Sequence, residues 1–333
     1  MGKIEGMDIS KLREIVANDK IISLKDNENL AKSHWITLQT KSGTVEGKIF
    51  LPLKETDRLI LFEPGFPGGG STQFEQLWLT KILENGYAVF LARHSGTLIN
   101  GKYSSGYLNC EERQEIGKKL NQVVLGSKSE NSITDWLNEP LVALESLAKY
   151  FSEITLCGHS FGPLALINSL VKYAINEPEM CKRINRVVSL SGSLGRFRTD
   201  NHPFLKVWYD HLNTDWARER VQIGDAKPNT DIFYRAHIDI HKNISKIPNH
   251  IQFIAAVSWG DTQVSTDEIV QPIESLDFIS SLGKGYLIID KKEFGDEKVG
   301  RMAHDMEALT GNDLLNFVSK NWLPKSQISI LEK

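Results

Sequence analysis

The chain has 333 residues, a hydrophobic content of 41%, a charged content of 24% and a formal net charge of -3 at pH 7. These values are typical of a globular protein, and they provide no strongly basic surface for nucleic acid or for an anionic membrane. No apolar run reaches the roughly 18 residues of a membrane span, and the start lacks the pattern of a secretory signal peptide, so we expect a cytoplasmic protein.

The first part of the chain predicts an arm followed by a hairpin. Residues 1–33 are polar with a weak helical pattern, which indicates a surface helix or arm. Residues 34–40 and 44–51 alternate apolar and polar side chains around a turn at 41–43. This alternation predicts an antiparallel hairpin.

A buried strand and a loop rich in glycine and proline come next. Residues 58–62 are apolar on both faces, as in a strand that helices cover on both sides. The loop from Glu63 to Gly70 brings bare backbone N–H groups close to whatever lies above the sheet. We therefore predict an oxyanion hole here; the alternative is a flexible turn into a helix at 74–83.

The middle of the chain predicts a further strand, an insertion and a helix. The strand is expected at 87–92, and the polar stretch at 98–134 is longer than the usual connection in a compact domain. Apolar residues at helical spacing then predict an amphipathic helix at 135–150.

The sequence Gly-His-Ser-Phe-Gly at 158–162 follows the β-prone run Ile154–Cys157 directly, and apolar residues recur at helical spacing after it. This order predicts a strand, a sharp turn and a helix. A turn this tight strains its middle residue and leaves no room for side chains on either side, which Gly158 and Gly162 satisfy. We predict that Ser160 lies at the tip as a nucleophile; the alternative is an ordinary glycine-rich turn.

Aromatic and polar residues dominate the stretch 195–250, which we predict to be a cap inserted into the core. They supply more aromatic surface than the stretch needs for its own packing, which favours an apolar acyl or alcohol pocket beneath the cap. Alternatively, these side chains only dock the cap on the sheet. The residues concerned are Phe197, Phe204, Trp208, Tyr209 and Trp216, of which the last three, together with Trp259 further along, are the candidates for substrate binding.

Strands and helices alternate around this cap. Strands are expected at 186–190, 251–257 and 285–289, and helices at 266–282 and 310–323. Together with the earlier elements they predict an α/β protein with a doubly wound, mostly parallel sheet flanked by helices. The predicted core comprises residues 34–194 and 251–323, with residues 324–333 as a C-terminal tail.

A serine nucleophile needs a base to take its proton and an acid to orient that base. On such a sheet the expected order is serine, acid, histidine, and His304 is the only histidine after residue 250. Asp261 follows the strand at 251–257 and takes the position at the strand end. Asp267 and Glu268 remain as minor alternatives, because they lie in the first turn of the next predicted helix, where interaction with the helix dipole explains them.

These motifs resemble those of the α/β-hydrolase superfamily over roughly residues 34–323. The turn at 158–162 matches its nucleophile elbow, Asp261 with Val264 is similar to its Asp-x-x-Val, and His304 matches its base. The resemblance therefore implies a catalytic triad of Ser160, Asp261 and His304.

The segment Pro64–Gly68 resembles the oxyanion loop of this superfamily, which usually has the sequence His-Gly-x-Pro. The resemblance implies that the backbone N–H groups of Phe66 and Phe161 form the oxyanion hole. Pro64 replaces the usual histidine, so the hydrogen bond that normally braces the loop is missing from the motif.

The sequence thus predicts a serine hydrolase that cleaves a small-molecule ester in the manner of a carboxylesterase or lipase. A thioesterase or acyltransferase, and then an amidase or peptidase, remain as alternatives, because a triad does not specify the acceptor. A non-catalytic ligand-binding protein on the same framework is the alternative from another class. Nothing in the sequence predicts the oligomeric state.

No cofactor is expected, because the chain has neither a dinucleotide fingerprint nor a phosphate-binding Gly-Lys-Ser motif. The cysteines lack metal-binding spacing and predict reduced thiols. His237, Asp239 and His241 would face one way on a strand and could then bind a metal, but a polar edge of the cap explains them equally well, and we expect no metal.

Overall fold

The computed structural model describes residues 9–24, 27–66, 70–94, 133–192, 194, 214–215, 230–261, 270–291 and 303–331. In these residues ten strands form one sheet. The strands are β1 (Val16–Leu24), β2 (Ala31–Thr40), β3 (Gly43–Pro52), β4 (Arg58–Glu63), β5 (Ala88–Arg93), β6 (Glu153–His159), β7 (Ile184–Leu190), β8 (Gln252–Ser258), β9 (Gly285–Asp290) and β10 (Ile328–Ile330).

Helices cover the sheet on both sides. In the described part of the chain they are α1 (Ile9–Ile15), α2 (Gly70–Leu77), α3 (Leu79–Glu84), α4 (Ile133–Trp136), α5 (Glu139–Leu147), α6 (Gly162–Asn176), α7 (Pro178–Cys181), α8 (Thr230–Asn243), α9 (Val270–Leu282) and α10 (Gly311–Val318). Short 3-10 helices lie at Ala148–Tyr150 and Ile244–Lys246.

The strand order is β1-β2-β3-β5-β4-β6-β7-β8-β9-β10. The predicted hairpin β2–β3 is antiparallel, as are the pairs β1–β2 and β3–β5. All the remaining neighbours, from β5 to β10, are parallel. The prediction of a doubly wound, mostly parallel sheet is therefore confirmed.

A topological switch point lies at β4, because β5 and β6 flank this strand on opposite sides. Open α/β sheets bind ligands in the crevice at such a point, outside the carboxyl ends of the strands. In the register of β4 and β6, Glu63 pairs with Gly158. The predicted oxyanion loop and the predicted nucleophile turn therefore leave the sheet side by side.

Each face of the sheet has its own hydrophobic core. The larger core lies under α5, α6, α8 and α9 and includes Leu166 and Phe278. The smaller core lies under α2, α3 and α10 and includes Phe74, Trp78 and Phe317. The strands between them are buried on both faces, which explains their continuous apolar runs.

The sheet extends beyond the predicted core at both ends. Val16–Leu24, within the predicted arm 1–33, pairs with β2, and its register shifts between Val16 and Ile21. Ile328–Ile330, within the predicted tail 324–333, pairs with β9. Both are edge strands, whose pairing depends on the neighbouring strand more than on their own pattern.

Two predicted helices are interrupted. The helix expected at 135–150 consists of α4 and α5, because Pro140 lacks an N–H and lies in the first turn of a new helix. The helix expected at 74–83 consists of α2 and α3, which meet at Trp78. The capping pair expected at the last helix is confirmed, because the Thr310 hydroxyl accepts from the Asp313 backbone N–H.

Part of the predicted cap packs on the core. Residues 230–243 form α8, whose Ala236 and Ile240 are buried in the larger core. The idea that His237, Asp239 and His241 alternate on a strand is therefore wrong, because these residues lie on a helix, where alternate positions do not share one face. The aromatic candidates Trp208, Tyr209 and Trp216, and residues 98–132, lie outside the described residues.

No helix in the described ranges is long and apolar enough to cross a membrane. Of the three cysteines, Cys157 and Cys181 are described, and both are buried free thiols, as predicted.

Candidate active site

Ser160 lies at the tip of a strained turn between β6 and α6. Its φ angle is 56°, in the left-handed region that residues other than glycine rarely adopt. A methyl group on Gly162 would lie 2.1 Å from the backbone oxygen of Glu63, and one on Gly158 would lie 2.8 Å from the Leu166 side chain. The crowding on both sides of Ser160 is the physical reason for the two glycines.

The turn is tied to the neighbouring strand. The backbone N–H of Ser160 donates to the Leu190 carbonyl at the end of β7, over 3.0 Å. Ser160 itself is 8% exposed. Its hydroxyl therefore lies at the carboxyl edge of the sheet in a position that the backbone fixes.

The loop after β4 lies directly against Ser160. A methyl group on Gly65 would be 2.6 Å from Ser160 Cβ and 3.2 Å from Ser160 Oγ. The next residue, Phe66, is half-buried, with its ring 5.7 Å from that of Trp136. Phe161 is buried at the N-cap of α6, so its peptide belongs to the positive end of that helix. The structure thus places the loop that carries Phe66 against Ser160, and Phe161 directly after it.

The other two predicted catalytic residues form a buried pair. His304 Nδ1 lies 2.9 Å from Asp261 Oδ2, and the two side chains are 11% and 0% exposed. Because an ionised carboxylate only accepts hydrogen bonds, this contact assigns the hydrogen to Nδ1 and leaves Nε2 available as a base. Asp261 lies three residues beyond the end of β8, as predicted.

His304 is held beside the turn by contacts on both sides. His159 Nε2 donates to the His304 carbonyl over 2.7 Å, and the two rings are 4.8 Å apart. From α2, the Gln73 side chain donates to the Asp305 carbonyl. Trp78 Nε1 donates to the Leu309 carbonyl over 2.9 Å. These contacts fix the segment that carries His304 against the residue next to Ser160.

Comparison with solved structures shows the same arrangement of strands and helices elsewhere. A Pyrococcus furiosus esterase superposes with a TM-score of 0.52 at 13% identity, covering 93% of this chain and 99% of that chain. A carboxyl esterase from Tuber melanosporum gives 0.52 at 14% identity, covering 90% and 89%. A Pyrobaculum calidifontis esterase gives 0.51 at 11% identity, covering 87% of both chains.

The chain has the α/β-hydrolase fold. Identities this low establish the fold and leave the activity to be argued from the site. Comparisons with models of protein families and with curated proteins find no match.

His159, next to Ser160 in this α/β-hydrolase fold, is a buried neutral histidine. Burial, with a smaller contribution from the neighbouring His304, lowers the pKa of His159 to about 4. Because the His304 carbonyl can only accept, the hydrogen of the His159 ring is on Nε2. His159 therefore supports His304 without carrying a charge near neutral pH.

This burial predicts a pH dependence of stability. Between about pH 6.5 and pH 4 the unfolded chain binds a proton at His159 that the folded chain does not bind. The free energy of unfolding should therefore fall as the pH drops through this window, by at most roughly 3 kcal/mol from this group. Urea unfolding at several pH values would measure it, with His159→Gln as the control that keeps a donor for the His304 carbonyl. Equal pH slopes in the two proteins would contradict the assignment.

The sequence analysis missed a buried cluster behind the oxyanion loop. His94 Nδ1 lies 2.7 Å from Glu139 Oε2 and 3.3 Å from Glu63 Oε1, and the exposure of the three side chains does not exceed 1%. Burial, with a smaller contribution from the charge of Glu139, raises the pKa of Glu63 well above its ordinary value. Charged residues this deeply buried are rare, and Glu63 and Glu139 were the only signal that the sequence offered.

The same three side chains are of the type that binds metal ions. Their imidazole nitrogen and carboxylate oxygens lie within 4.8 Å of one another. The 2.7 Å separation of His94 Nδ1 and Glu139 Oε2 is that of a charge-assisted hydrogen bond, which already engages the nitrogen that would ligate. This contact explains the pairing of His94 with Glu139 without a metal ion.

Trp259, the one described substrate-binding candidate, lies just beyond β8. It is 41% exposed, its backbone N–H donates to the Asp290 carbonyl over 2.8 Å, and Lys291 Nζ lies 5.5 Å from the centre of its ring. The structure therefore places Trp259 at the carboxyl edge of the sheet, where its contacts are with the end of β9.

Proposed function

We propose that the chain is a serine hydrolase that cleaves an ester of an apolar acyl or alcohol group through an acyl-enzyme intermediate. The observation that carries this proposal is the position of Ser160. It lies in a left-handed turn, against a loop so close that a methyl group on Gly65 would be 2.6 Å from its Cβ, and near the buried His304–Asp261 pair. Esterases of the same fold support the choice of substrate class.

In the first half of the reaction, Ser160 Oγ attacks the ester carbonyl while His304 Nε2 takes the hydroxyl proton. Asp261 keeps the other ring proton on Nδ1 and stabilises the imidazolium that forms. The carbonyl oxygen becomes an oxyanion, which accepts hydrogen bonds from the backbone N–H groups of Phe66 and Phe161. The C–O bond to the alcohol then breaks, and the alcohol leaves with the proton from His304.

In the second half, water replaces the alcohol. His304 Nε2 takes a proton from the water as its oxygen attacks the acyl carbon, and the same N–H groups hold the second oxyanion. The bond to Ser160 Oγ breaks, Ser160 recovers its proton, and the carboxylic acid is released.

A fluorophosphonate probe tests this mechanism directly, because it phosphorylates a serine only where a base has activated the hydroxyl. We expect labelling of Ser160 together with turnover of short-chain esters. A properly folded protein that neither reacts with the probe nor hydrolyses a panel of esters would instead support a ligand-binding role on this fold.

The aromatic residues of the predicted cap give a prediction about chain length. If Trp208 and its neighbours line an apolar pocket, each buried methylene contributes roughly 0.8 kcal/mol to transition-state binding. From acetate to hexanoate esters, kcat/KM should therefore rise severalfold for each added pair of carbons. Trp208→Ala should flatten this rise more than it lowers acetate turnover. A flat or falling profile in the unmutated protein would indicate a small or polar substrate.

A further inference from the structure

The carbonyl group of Pro64 has a hydrogen-bond donor from outside its own loop. His94, directly after β5, places Nε2 2.8 Å from the Pro64 oxygen. In the oxyanion-loop motif this position has a histidine whose hydrogen bond braces the loop, and proline cannot supply that side chain. The hydrogen bond from His94, which follows the neighbouring strand β5, therefore takes the place of the bracing hydrogen bond that the loop lacks.

The protonation of the His94 ring follows from its two partners. The Pro64 carbonyl can only accept, so Nε2 carries a hydrogen. Nδ1 lies 2.7 Å from Glu139 Oε2, and this contact is satisfied whether the shared proton is on the ring or on the carboxyl group. In both forms the Nε2 hydrogen remains directed at Pro64.

Aromatic contacts fix the plane of the His94 ring. It stacks on Trp136 with the ring centres 4.3 Å apart and an angle of 7° between the planes. Phe161 meets it edge-on at 5.5 Å. Because the side chain is fully buried, the ring cannot turn away from Pro64 without losing these contacts and the bond to Glu139.

We propose that His94 is a positioning residue of the oxyanion hole. It holds the Pro64 carbonyl, and through the short Pro64–Gly65 segment it aims the Phe66 N–H at the oxygen that becomes negative. Gly65 lies against Ser160, so a small rotation of this segment would shift Phe66 relative to the reacting carbon. Oxyanion donors act only when they are placed correctly in advance, so a flexible loop would lose transition-state stabilisation. This inference rests on the proposed hydrolase activity.

Two amide substitutions at His94 test its hydrogen bond to Pro64 separately from its contact with Glu139. The side-chain nitrogen of glutamine reaches the position of histidine Nε2, whereas that of asparagine reaches only the position of Nδ1. His94→Gln thus keeps the donor to Pro64 and loses the contact with Glu139, and His94→Asn does the reverse. Both variants lose the ring equally.

For His94→Asn we expect kcat to fall by about 10- to 100-fold with KM within about twofold of the unmutated protein, because only transition-state binding is lost. His94→Gln should retain kcat within about fivefold. Equal losses in the two variants, or a loss confined to KM, would overturn the proposal, because a purely structural role predicts no difference between them.

Two measurements do not depend on turnover. Hydrogen–deuterium exchange in peptides covering residues 58–66 should be faster in His94→Asn than in His94→Gln, and equal rates would count against the brace. In the unmutated protein, nitrogen NMR should find Nε2 of His94 protonated, and an unprotonated Nε2 would overturn the proposal even if a variant failed to fold. Suppose that the unmutated protein lacks hydrolase activity, but that its His94 Nε2 is protonated and exchange is faster in His94→Asn than in His94→Gln. The proposed function would then fail, and the role of His94 in bracing the loop would stand.

Discussion

Replacing Ser160 with alanine should lower kcat for ester hydrolysis by at least about a thousandfold and abolish labelling by the fluorophosphonate probe. The substitution removes the only atom that forms the acyl-enzyme bond. It leaves the backbone unchanged, because alanine and serine have similar strain at a φ of 56°. Steady-state kinetics with a short-chain ester, and the melting temperature as a test of folding, would measure both effects.

Ser191 provides a matched control for this experiment. It follows β7, has a φ of 46° and is fully buried, so Ser191→Ala makes the same chemical change in a similar strained turn one strand away. We expect this variant to keep most of its activity. Substantial retained activity in Ser160→Ala would contradict the mechanism.

Replacing Asp261 with asparagine should lower kcat by about ten thousandfold and change KM little. An amide in place of the carboxylate offers an N–H to His304 Nδ1, which then has to accept. The ring hydrogen moves to Nε2, and Nε2 can no longer take the proton of the serine. The geometry of the pair changes little, so kinetics should reveal the loss more clearly than stability does.

Asp→Asn substitutions at two other positions test the assignment of Asp261 as the catalytic acid. Asp267→Asn removes the rival candidate in the sequence, and Asp277→Asn removes an exposed carboxylate on α9. Both should keep kcat close to that of the unmutated protein. If Asp267→Asn caused the larger loss, the acid would have been placed on the wrong residue.

The turn around Ser160 could be predicted because its requirements are local. A strand, a tight turn and a helix in sequence leave room only for glycine at positions 158 and 162, and the structure shows the backbone contacts responsible. The pairing of Asp261 with His304 joins residues 43 positions apart. Even so, the order of strands was enough to bring them to the same edge of the sheet.

The His94 cluster could not be predicted in the same way. Its members come from the end of β4, the end of β5 and the start of α5, and no spacing in the sequence relates them. The motif showed that a brace was missing at Pro64, but only the packing of β5 against β4 identifies which residue supplies it. The strands β1 and β10 were missed for a related reason, because an edge strand depends on its partner.

The strained conformation of Ser160 lowers the stability of the folded protein, although the proposed chemistry depends on it. A residue other than glycine in the left-handed region costs on the order of 1 kcal/mol or more, and the folded state bears this cost whether or not substrate is present. Ser191, at the end of the adjacent strand, has the same kind of conformation. Glycine at position 160 would therefore relieve this strain, but it would also remove the hydroxyl that the proposed reaction requires.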